Sequence, residues 1–71
     1  MNKEQANKVY HQAELVKVLS GIESLAQDAK HYGRFRITTR KTIKSLSRLG
    51  YNCGYIEDVD NEEVWHIDWS D

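Results

Sequence analysis

Two spacings of apolar residues divide the chain. From residue 3 to residue 31 they recur at helical intervals among Glu, Gln, Lys, Ala and Leu, all good helix formers. At 100° per residue, Leu15, Val18, Leu19, Ile22, Leu25, Ala26 and Ala29 share an arc of roughly 120°, the stripe a core-facing helix requires. Ala6, Val9, Ala13 and Val16 form a second stripe roughly 160° away, on the opposite side. A straight helix cannot turn both toward one small core. Either it breaks near residues 11–14, or its first half packs against something else. Asn2 followed by Gln5 supplies an N-cap signal, and Gly33 a stop.

Beyond Gly33 the period changes. Residues 34–38 alternate, with Phe35 and Ile37 on one side, and predict a strand. Thr38 or Thr39 can cap a second helix over residues 40–49, closed by Gly50. Ile43, Leu46 and Leu49 fall on its inner face; Arg40, Lys41, Lys44 and Arg48 fall opposite. Residues 51–57 and 63–69 read as a hairpin joined by a polar turn over residues 58–62. Trp65, Ile67 and Trp69 share one face of the last strand and should form the main core. The expected fold is a small two-layer α+β domain of order α-β-α-β-β. Its two helices pack on a three-stranded, mainly antiparallel sheet.

Length and charge refine this picture. A 71-residue chain forms a single domain with a small core. A helix of about 28 residues would be about 42 Å long, which exceeds the width of such a domain. An overhanging, partly apolar end calls for a partner, and the stripe Ala6, Val9, Ala13 and Val16 is the expected interface of a homo-oligomer. The net charge of −1 conceals a division: residues 1–50 carry +6 and residues 51–71 carry −7. Complementary potentials of this kind set orientation and speed in association. They also hold two halves of one fold together.

Candidate chemistry is sparse. Arg34, Arg36, Arg40, Lys41, Lys44 and Arg48 put six cations in fifteen residues, the composition of a phosphate-contacting segment. Yet Arg34 and Arg36 should project from the far side of the sheet, and the other four from the outer face of the second helix. One continuous groove is therefore not expected, and cross-strand pairing with Asp68 or Glu57 is the competing role. Asp58, Asp60 and Glu62 resemble a calcium loop, but Glu63 and Trp69 stand where that loop needs its Gly and its bidentate Glu. His11, His31 and His66 lack metal-ligand spacing, although His11 and Glu14 share a helix face. There is no Gly-rich phosphate loop and no GxSxG elbow. No catalytic residue, metal or cofactor is expected.

Cys53 is the only cysteine, and a reducing cytoplasm suits it. The first residues show no apolar leader, and no apolar run exceeds two residues, so no membrane association is expected.

The sequence Gly33-Arg-Phe-Arg-Ile37, then Leu46-Ser-Arg-Leu-Gly-Tyr51 and Trp65-His-Ile-Asp-Trp69, resembles a group of small tailed-bacteriophage proteins. In these a helix and strand lead to L-x-x-x-G-Y, a hairpin and a final I-x-W strand. The likeness spans roughly residues 25–69 and excludes the second helical stripe. It implies a phage origin, a host-cytoplasmic location, and a role as a virion component or as an early protein acting on host machinery. It carries no functional residue across. The function expected is a non-enzymatic module that binds, and thereby can inhibit, a host or phage protein. The alternative is a small nucleic-acid-binding regulator using residues 34–48.

Overall fold

A computed structural model describes residues 1–60 and 62–70. Its elements are α1 (Lys3–Gln27), β1 (Tyr32–Arg36), α2 (Arg40–Arg48), β2 (Asn52–Val59) and β3 (Glu62–Asp68). This is the expected α-β-α-β-β domain. The sheet is antiparallel with order β1-β3-β2, so the strand last in sequence is central and the other two are edges.

α1 begins with a complete capping box: Asn2 Oδ1 accepts from the Gln5 N–H at 2.9 Å, and Gln5 Oε1 accepts from the Asn2 N–H at 3.0 Å. The helix is unbroken through residues 11–14 and spans about 37 Å at 1.5 Å per residue, most of the molecule's 41 Å length. Only its C-terminal half joins the core.

The helix ends four residues earlier than expected, and Gly33 does not end it. Ala29 takes the left-handed conformation (φ +62°), while the Lys30 N–H reaches Leu25 O and the Ala29 N–H reaches Ala26 O, both at 3.0 Å. Those are the two bonds of a Schellman cap, here closed by a residue that bears a Cβ. Gly33 instead lies buried in β1. A Cβ there would meet Leu25 at 2.5 Å and Phe35 at 2.9 Å, so glycine is what lets α1 approach the sheet. With the helix ended early, β1 starts at Tyr32 rather than residue 34.

α2 ends in the same motif, with Gly50 at φ +100° and the Tyr51 N–H donating to Leu46 O. Leu49, expected inside, is 60% exposed, because the helix has closed and the chain turns outward at that point. Thr42 takes the inner position and is fully buried. The β2–β3 hairpin is also longer than expected. Val59 pairs with Glu62, so the turn contains only Asp60, at φ +52°, and Asn61, which lies outside the described residues. A bulge between Tyr55 and Glu57 interrupts β2.

Val18, Ile22, Ile37, Leu46, Trp65 and Ile67 form the core. Leu15, Leu19, Phe35, Ile43, Tyr51, Cys53 and Trp69 close around it. Trp65 is buried; Trp69 is half-buried, anchored by its indole N–H on Lys30 O at 3.1 Å and set edge-on against Tyr51. The described residues include no helix long and apolar enough to cross a membrane.

Candidate functional site

The most connected polar cluster ties α1 to the start of α2. Glu14 projects from the flank of the core stripe toward the segment between β1 and α2. One carboxylate oxygen accepts from the Thr38 N–H (3.0 Å) and hydroxyl (2.7 Å). The other accepts from the Thr39 N–H (3.2 Å), the Thr39 hydroxyl (2.9 Å) and the Thr42 hydroxyl (2.8 Å). Thr39, the N-cap residue, makes no side-chain cap bond of its own, and α2 has no acid in its first turn. Glu14 therefore places a carboxylate from another element beside the start of α2, bonded to the Thr38 and Thr39 N–H groups that precede its first turn, where negative charge suits the helix dipole. Burial raises the pKa of Glu14, but the Thr38, Thr42 and Thr39 bonds outweigh it and hold the carboxyl below its ordinary value.

Two neighbours extend the cluster. Tyr10 Oη lies 2.6 Å from Thr38 Oγ1, and His11 Nδ1 lies 3.1 Å from Thr42 Oγ1. The other ring nitrogen, His11 Nε2, lies 3.4 Å from Ser45 Oγ. Ser45, His11, Thr42 and Glu14 thus stand in series, the histidine reaching the carboxylate only through Thr42. The serine contact is at the outer limit of a hydrogen bond. Glu14 occupies the amides of Thr38 and Thr39, the two residues that precede α2. The arrangement ties α1 to the start of α2. In the sequence, His11-x-x-Glu14 and the capping residues Thr38 and Thr39 are each legible, but not that they meet.

Beside this clasp, α1 and β1 border an open cleft of about 530 Å³. Tyr10, Ala13 and Lys17 form the helical wall, Phe35 the base, and Arg34 and Arg36 the strand side. β1 has a neighbour on one side only. The Ile37 N–H donates to Glu63 O and the Trp69 N–H to His31 O, so alternation assigns Gly33 and Phe35 to the β3 ladder. The N–H and C=O groups of Tyr32, Arg34 and Arg36 therefore point out of the free side. Thr38, next in that series, has its N–H closed off by Glu14.

Ala6, Val9, Ala13 and Val16 are all exposed, Val9 by 53% and Val16 by 64%. Ala13 belongs both to this stripe and to the cleft. The six cations do not converge. Arg40, Lys41, Lys44 and Arg48 are exposed on the outer face of α2, with Arg40 3.5 Å from Glu63. Arg34 and Arg36 stand at the sheet's free side. Arg36 pairs neither with Asp68 nor with Glu57 but with Glu62 at 3.4 Å, and Arg34 lies opposite His66. His66 stacks on Tyr32 at 5.3 Å on the open face of the sheet.

Cys53 is half-buried, and burial pushes its thiol pKa up, which lowers its reactivity. Among the described residues no group of three His, Cys, Asp or Glu side chains could hold a metal ion. Comparison of the chain with known protein families, curated proteins and solved structures finds no match.

Proposed function

We propose that this protein is a non-enzymatic interaction module of the cytoplasm. On this reading it self-associates through the first half of α1 and occupies a surface of a second protein. The observation that carries the reading is the bare stripe Ala6, Val9, Ala13 and Val16, set on a helix whose other face already completes the core. Small residues alternating with valines allow close helix approach, and burying the exposed part of each valine adds to association. A phage-encoded accessory protein that inhibits a host or phage protein by covering it needs no more chemistry than this.

Light scattering at micromolar concentration tests the self-association. More than one chain per particle is expected. Val9→Asp should return the particle to a single folded chain. A monomer whose size Val9→Asp leaves unchanged would remove the reading's support.

The four exposed cations of α2 favour a second reading, a nucleic-acid-binding regulator. Each phosphate neutralised adds about 0.9 to the slope of log affinity against log salt. DNA or RNA binding that collapses between about 50 and 200 mM salt would carry that reading instead.

A further inference from the structure

We propose that the free side of β1 receives an extended acidic segment of a partner protein, which adds to the sheet as a fourth strand. The inference rests on the interaction-module reading and specifies the free side of β1, a surface that shares Ala13 with the α1 stripe. Three observations converge on it. Tyr32, Arg34 and Arg36 direct unshared backbone groups outward at two-residue intervals, the repeat that a strand matches. A cleft of about 530 Å³ lies along that side and gives room for alternate side chains of the incoming segment over Ala13 and Phe35. The third observation is the charge around the cleft.

Lys17, Arg34 and Arg36 surround the opening. The two acids that line it are engaged: Glu14 by the three threonines and Glu62 by Arg36. Lys17 and Arg34 form no ion pair among the described residues. A strand with acids facing Arg34 and small apolar residues facing the cleft satisfies both sides of β1.

A second copy fits less well. Antiparallel pairing of β1 with itself about Arg34 sets Arg34 against its own copy, and like charges directly opposite destabilise a sheet. Pairing with β2 of another copy meets the bulge between Tyr55 and Glu57, and would extend head to tail without closing.

The test uses a fluorescein-labelled seven-residue peptide of alternating Glu and Val, with a Lys–Val peptide as control. Anisotropy should show binding of the acidic peptide alone, weakening as salt rises. Amide hydrogen exchange on the bound protein should slow at Tyr32, Arg34 and Arg36. Arg34→Gln keeps the N–H and loses the charge, so affinity should fall about two- to fivefold, as expected of an exposed pair. Arg34→Pro also removes the central outward donor, which the β1–β3 ladder does not use, and should abolish measurable binding. Should Arg34→Pro unfold the chain, the exchange pattern of the unaltered protein decides.

No binding of the acidic peptide at low salt, or equal binding of the Lys–Val peptide, overturns strand addition. Slowed exchange on α1 or α2 instead of β1 also overturns it. That last result leaves the interaction-module reading standing, since light scattering judges the α1 stripe independently.

Discussion

The two halves of α1 are built from similar residues and do different work. From Leu15 onward the helix buries Val18 and Ile22 and rests Leu15 and Leu19 against the sheet. Before His11 every residue is exposed. The second half is held by tertiary burial. The first is held by its capping box and by continuity with a helix already nucleated, since a separate segment this short would be marginal in water. The clasp at Tyr10, His11 and Glu14 marks the border. Helix formation and core formation are thus separable here, and the half that the core does not need is the half free to meet another protein.

Substitutions on either side of the border should separate the halves. The largest effect belongs to the core half: Ile22→Ala should cost about 2–5 kcal/mol, a large share of the roughly 5 kcal/mol holding a small domain together. Val9→Ala, on the other side of the border, should change the stability of a single chain by less than about 0.5 kcal/mol. Urea unfolding followed by circular dichroism measures both, and similar losses would erase the distinction.

Glu14→Gln, at the border, should cost about 1–3 kcal/mol, toward the low end because the site is only half-buried. Its pH dependence is the sharper observation. A carboxyl whose folded pKa lies below its ordinary 4.5 stabilises the fold above that value, and the contribution disappears as pH falls through the folded pKa. Unfolding curves at pH 7 and pH 3 should therefore draw together in Glu14→Gln relative to the parent chain. An unchanged difference between the two pH values would mean that the clasp contributes nothing.

The smallest effect is a gain. Ala29→Gly relieves a left-handed alanine at the end of the core half, offset in part by the greater freedom of glycine in the unfolded chain. A rise in stability of under about 1 kcal/mol, read as a higher melting temperature, is expected. A fall would show that Ala29 contributes by packing.

Much of this was legible in the sequence, because local periodicity and burial agree over most of the chain. The stripe from Leu15 to Leu25, the Asn2–Gln5 cap and the alternation around Trp65 each need only neighbouring residues to be read, although Ala26 and Ala29, expected to continue that stripe, are exposed because the helix ends at Gln27. What escaped depends on distant ones. Glu14 reads as an ordinary helical acid until the fold brings Thr38, Thr39 and Thr42 to it. Gly33 reads as a helix stop, since nothing local reveals that Leu25 and Phe35 crowd its Cα. Ala29 gives no composition signal for a left-handed cap. Leu49 has the right helical angle for burial, but the chain leaves the helix there. That β1 is an edge strand is a property of topology, and the β1-β3-β2 order places it there.

That strand order also dictates when the sheet can exist. β3 is the partner of both other strands and is the last of the three to be synthesised. While the chain grows, α1, β1, α2 and β2 emerge with no β3 to pair with, so the core-facing stripe of α1 is synthesised before the strand that completes its core. Once β3 appears, the tight β2–β3 hairpin can close within about 1–10 μs, and its other side becomes the template on which β1 docks across the whole intervening loop. That long-range pairing carries the larger loop-closure cost of the two. Until it is complete, the apolar residues of α1 and β1 remain available to a chaperone, or to the corresponding residues of a neighbouring nascent chain.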